Sequence, residues 1–255
     1  MHAYNPGILA LAAASMVLVA PPSLAADEIR VAVASNFRQA MNVVADRFED
    51  TSGHTVTLIP GSTGKHYAQI VNGAPFDAFF AADAERPRAL EAEKRIVPGS
   101  RFTYAIGKLV LWSAAERLVD PAGEILQSGS FDHLAIANPE LAPYGEAARQ
   151  VLQALGLWEE LGSRLVRGEN IGQTFQFVVT GNAELGFVAR SQLYMPKHEF
   201  RGSAWEPSQT LYDPIQQQAV LLRDTPVGRD FMVFMRGEEA RALIRAYGYD
   251  VPDVQ

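Results

Sequence analysis

Four short stretches of this chain place hydroxyl, amide or glycine residues at the start of a helical pattern: Ser35-Asn36, Ser62-Thr63-Gly64, Pro143-Tyr144-Gly145 and Ile171-Gly172. A helix start leaves backbone N–H groups unpartnered and carries about half a positive charge. Several such starts facing one point bind an anion without any Lys or Arg. Ser and Thr hydroxyls and the Asn36 amide add uncharged donors. Such a set suits a dehydrated, doubly charged tetrahedral oxyanion, and the lack of counter-ions leaves it free to depart. Singly, each Ser, Thr or Asn is an ordinary helix cap. Only their joint placement points to a site.

For the four stretches to converge, the elements before them must end side by side. Ile29, Val31 and Val33 predict a strand over 29–34, and Phe37, Ala40, Met41, Val44 and Phe48 follow at helical spacing. A second strand is predicted over 54–60, and Gly61 to Gly64 lead into a helix running toward Gly73. A third strand over 75–81 precedes a helix over 84–94. This βαβαβα order implies a parallel sheet with helices on both faces. Such sheets bind ligands beyond the carboxyl ends of their strands, where Ser35-Asn36 and Ser62-Thr63 fall.

The middle of the chain repeats the pattern. Strands are predicted over 108–113, 133–137 and 185–189. Between them lie a helix carrying Ala147, Ala148, Val151, Leu152 and Leu155, a second short helix, and a helix opening at Ile171 and stopping at Gly181. A strand over 215–222 precedes Thr225-Pro226, a helix start with proline in the first helical position. Two C-terminal helices are separated at Gly237. With no internal repeat and no low-complexity linker, two α/β lobes sharing a continuous core fit better than separate beads.

Competing chemistries lack their residues. Gly61-Ser62-Thr63-Gly64-Lys65 is close to a nucleotide P-loop, but Ile59 stands where the first glycine belongs and His66 where the Ser or Thr belongs. His54, His66, His133 and His198 show no metal-ligand spacing, and there is no cysteine. No Gly-x-Ser-x-Gly elbow occurs. Asp77 and Asp83 flank the third strand and read as caps or backbone ligands. Lys65 sits in a helix's first turn, where the dipole disfavours a cation. Trp112, Trp158 and Trp205 read as packing residues.

Residues 8–20 form an apolar run followed by Pro21-Pro22-Ser23-Leu24-Ala25, with small residues at Ser23 and Ala25. That pattern is a signal peptide over 1–25, and the run falls short of the ~20 residues that span a bilayer. Absence of cysteine excludes an acylated-cysteine anchor and any disulfide framework. The expectation is an exported, soluble, monomeric periplasmic protein without a lipid anchor. The formal net charge of −7 belongs wholly to the segment after the leader. It argues against nucleic acid and makes any anion site a local arrangement opposed to the global field.

At Val33-Ala34-Ser35-Asn36-Phe37, Gly61-Ser62-Thr63-Gly64-Lys65, Gly73-Ala74-Pro75-Phe76-Asp77, Asn138-Pro139 with Pro143-Tyr144-Gly145, and Glu184-Leu185-Gly186-Phe187-Val188, the chain resembles the periplasmic molybdate-binding proteins of ABC-type importers. The resemblance covers the whole chain after the leader. It implies the two-lobed (type II) periplasmic binding protein fold, an α/β architecture with a mainly parallel sheet flanked by helices in each lobe. Two crossover strands form the hinge. Lobe I would comprise 27–108 with 215–255, lobe II 109–214, and the hinge would lie near 104–108 and 213–217. It implies a binding protein and not an enzyme. The ligand would be molybdate or tungstate, with no cofactor, no direct metal-ion ligand, and a membrane permease as partner. Contacts are implied at Asn36 with Ser35, Thr63 with Ser62, Tyr144, and the backbone of Ile171. One version of the family has tyrosine at the position of Ala189 and alanine at that of Tyr144; here the phenol would come from the other loop. The alternatives are a sulfate-type receptor and, from a different class, a secreted phosphate or sulfate ester hydrolase. A phosphate receptor would need an acceptor that these loops do not offer, and a hydrolase would need a nucleophile with its base.

Overall fold

The structure, a computed structural model, describes residues 1–2, 27–194, 196 and 201–252. The expected signal peptide, beyond its first two residues, lies outside the described residues, as do His198 and the last three positions.

Small and β-branched residues build the first sheet because helices cover both its faces. In β1 (Glu28–Ala34) every residue from Val31 onward is buried. Helix α1 (Arg38–Ser52) buries Ala40, Met41, Val44, Ala45 and Phe48, the stripe its spacing predicts, and ends on Gly53 in the left-handed conformation. Then come β2 (Thr55–Gly61), α2 (Thr63–Val71), β3 (Ala78–Ala81), α3 (Glu85–Ala92) and β4 (Phe102–Gly107). Lys108 alone separates β4 from β5 (Leu109–Ser113), which belongs to a second sheet. That sheet adds β6 (Leu134–Ala137), β7 (Leu165–Gly168), β8 (Leu185–Ala189) and β9 (Ser203–Trp205), with α4 (Ile125–Ser128), α5 (Pro143–Ala154) and α6 (Ile171–Val179) between them. The chain returns to the first sheet as β10 (Ile215–Leu221) and closes with α7 (Pro226–Arg236) and α8 (Glu238–Ala246).

The two sheets are built alike, in the orders β2-β1-β3-β10-β4 and β7-β6-β8-β5-β9. In each, four strands point the same way and one, β10 in the first and β5 in the second, runs against its two neighbours. Phe48, Phe80, Phe231 and Tyr104 form a chain of tilted and edge-on ring contacts in the first lobe's core. Ala34, Ala82 and Ile215, all from the first sheet's side, join the core beneath the second sheet, so one apolar interior runs between the two.

Three strands escape the sequence pattern. β7 and β9 have only four and three residues, too few for a period to be read. β4 is a strand that the sequence marked only as part of a hinge. The short helix expected before residue 165 is a turn ending in a single 3-10 segment, Gly162–Arg164. Pro75 to Asp77 lie before the third strand and not in it.

Candidate anion-binding site

All six residues singled out by sequence (Ser35, Asn36, Ser62, Thr63, Tyr144 and Ile171) line one small cavity between the sheets. They follow the carboxyl ends of β1, β2, β6 and β7, two parallel strands from each sheet. All but Ser35 are buried. The backbone N–H groups of Asn36, Ser62, Thr63, Tyr144 and Ile171 have no acceptor among the described residues. Buried N–H groups are almost always paired, so five unpaired at one cavity mark a place built to receive acceptors. Their neighbours are used to fix the walls: Gly64 N–H donates to Leu141 O at 2.8 Å, and Gly172 N–H to Ser35 Oγ at 3.2 Å. Both bonds join one lobe to the other.

The hydroxyls are arranged as donors. Thr63 Oγ1 accepts from the Ala82 N–H at 3.0 Å, Ser35 Oγ accepts from Gly172, and Tyr144 Oη accepts from Gln217 Nε2 at 3.2 Å. Each keeps its own proton for something else. Ser62 lies at the helix-cap position of α2 yet makes no capping bond, and its buried Oγ has no partner at all. Burial raises the Tyr144 phenol well above its ordinary pKa, so it stays a neutral donor. No Asp, Glu, His, Lys or Arg is among the lining residues.

Asn36 departs from expectation. Its Nδ2 donates to Gln217 Oε1 at 2.8 Å and to Tyr249 Oη at 3.0 Å. Both amide protons therefore serve the scaffold, and what Asn36 offers the cavity is its backbone N–H. Tyr249 in turn donates to Asn36 O at 2.9 Å. Ala189 is fully buried at the end of β8 and does not line the cavity, whereas Tyr144 does.

The charged residues nearby are engaged elsewhere. Lys65 pairs with Glu169 across the cleft at 3.0 Å on exposed side chains. Asp77 accepts from the Arg30 backbone N–H and pairs with Arg223. Asp83 caps the start of α3 at Arg86 and pairs with its guanidinium, while burial raises its carboxyl pKa. His66 is buried against Phe76 and Phe79, and burial lowers its pKa, so the ring is neutral at pH 7. Among the described residues no group of three or more His, Cys, Asp or Glu could hold a metal ion, and no helix is long and apolar enough to cross a membrane. Sequence reasoning passed over Gln217, Tyr249 and Gly107 as site residues; three consecutive glutamines in an otherwise apolar strand were the available signal.

Two similar mixed sheets, joined by strands that pass between them and meeting on a small cavity of uncharged donors, define a two-lobed solute receptor. The chain belongs to the bacterial extracellular solute-binding protein family, which it matches over residues 29–250. Within that class it is 51% identical over 227 residues to the molybdate-binding protein ModA of Azotobacter vinelandii, covering 88% of this chain and 90% of the relative. It is 44% identical over 249 residues to the ModA of Rhodobacter capsulatus, covering 96% and 97%. The solved periplasmic molybdate-binding protein of Azotobacter vinelandii superposes with a TM-score of 0.86 at 44% identity, covering 88% of this chain and all of that one.

Proposed function

We propose that the protein captures molybdate, with tungstate as a second ligand, between its two lobes and delivers it to the membrane permease of an ABC importer. The observation that carries this is the donor-only cavity: five free N–H groups and four hydroxyls, with no charged side chain lining it. A lining with no carboxylate or imidazole, whose free N–H and O–H groups point donors inward, suits the oxygens of a fully deprotonated dianion. It leaves the proton of hydrogen phosphate buried against donors, at a cost of about 1–3 kcal/mol. Relatives named for molybdate binding, nearly as long as this chain, support the same ligand. The lining also lacks the base that ester hydrolysis needs.

In this reading the lobes comprise 27–108 with 215–255 and 109–214, and they close as a monomer about the strands near 104–108 and 213–217. In the same reading the protein works in the periplasm, exported by its leader. A thermal-shift panel of molybdate, tungstate, sulfate, phosphate and chromate tests the ligand. Molybdate at 100 times its Kd should add about 2.7 kcal/mol, which raises Tm by roughly 5–11 °C for a chain of this size. A flat response to molybdate, or an equal one to phosphate, would overturn the proposal.

A further inference from the structure

Gln217 is fully buried in β10, in the first sheet, yet its side chain reaches both lobes. Its Oε1 accepts from Asn36 Nδ2 at 2.8 Å and Tyr104 Oη at 3.0 Å; its Nε2 donates to Tyr144 Oη, on α5 of the second lobe, at 3.2 Å. The polarity of this chain of bonds is set from one end. The backbone carbonyl of Asn36 can only accept, so Tyr249 donates to it and must accept from the Asn36 amide. That fixes which end of the Asn36 amide faces Gln217, hence which end of Gln217 faces Tyr144. An amide N–H can only donate, so the phenol oxygen accepts, and its proton must point away from Gln217. No acceptor among the described residues receives it, and Tyr144 lines the anion cavity.

We infer that Gln217 is a positioning residue that makes the Tyr144 phenol a one-way donor toward the bound oxyanion. Gly107, in the neighbouring strand β4, makes room for the arrangement. A Cβ there would overlap Tyr144 Oη and stand 2.6 Å from Gln217 Nε2. Glycine at 107, glutamine at 217 and tyrosine at 144 are thus one device. The inference rests on the oxyanion reading of the cavity and adds a residue that does not itself line it.

A double-mutant cycle read by molybdate calorimetry tests it, using the wild type, Gln217→Met, Tyr144→Phe and the pair. Gln217→Met should weaken molybdate binding about tenfold or more in the wild-type background. In the Tyr144→Phe background, where the phenol it acts through is gone, the further loss should be under about twofold. Equal losses in both backgrounds would mean that Gln217 only supports the fold, and would overturn the positioning role while leaving the ligand standing. A wild type that takes up no molybdate would overturn the proposed ligand and this inference with it. Should Gln217→Met fail to fold, Gln217→Leu removes the same amide with a different apolar shape. It must give the same unequal losses, or the inference falls.

Discussion

A hydroxyl beside a helix start can serve the helix or serve a ligand, and the two roles leave different bonds behind. Asn170 and Thr225 serve their helices, accepting from Gln173 N–H and Gly228 N–H. Ser62 occupies the same position on α2 and accepts nothing. Ser62→Ala should therefore leave ligand-free stability unchanged or slightly higher, where loss of a true cap costs about 0.5–2 kcal/mol, and still weaken molybdate binding. Urea unfolding alongside calorimetry checks both halves, and a clear loss of ligand-free stability would assign Ser62 to the helix after all. Thr63→Ala differs, because it also strands the Ala82 N–H. It should lose roughly 1.5–3 kcal/mol of binding and some stability as well. At this scale the sequence singled out residues that line one cavity, but not the bonds each would make. Asn36 is the instructive case: its type suggested an amide donor, and Tyr249, 213 positions away, claims that amide.

Among the elements, the start of α5 is hemmed in by backbone. Gly145 follows Tyr144, and a Cβ on it would overlap the Ala137 carbonyl oxygen and stand 2.7 Å from its carbon and 2.8 Å from the Asn138 carbon. Those neighbours are backbone and cannot rotate aside. Gly145→Ala should cost about 1–3 kcal/mol of stability through overpacking, measured by denaturant unfolding. It should also weaken molybdate binding, since the helix start that presents Tyr144 must move. Unchanged stability would show that the helix has slack. The long helices and buried strands were readable from spacing: α1 ends at the glycine expected, and β8 has the predicted boundaries. β7 was not readable, although Ile171 depends on it for its position. Four residues pairing in parallel with β6 have no period of their own, and the partner that makes them a strand is about thirty residues away in sequence.

Across the whole molecule, the site works against the field around it. A chain of formal charge −7 repels an approaching dianion until it reaches the cavity, where local dipoles take over. Association of molybdate should therefore speed up as ionic strength rises from about 10 to 150 mM, as the Debye length shrinks from ~30 to ~8 Å. Dissociation should change little, because the bound anion would be held by short contacts to buried donors, which salt screens weakly. Stopped-flow rates at several salt concentrations check this; slower association at high salt would indicate a basic entry surface that the charge balance hides.

By itself, the sequence determined the local physics: which segments are apolar at helical or strand period, where helices begin, and that uncharged donors stand at those beginnings. Those are short-range properties of the chain, and they were enough to bring the six cavity residues into view. Tertiary structure decided which donors remain free. That outcome depends on partners brought together by sheet order and by the strands that pass between lobes, such as Gln217 with Tyr144 or Gly64 with Leu141. A hydrogen bond between residues far apart in sequence leaves no periodic trace, so the polarity of the site becomes visible only once the chain is folded.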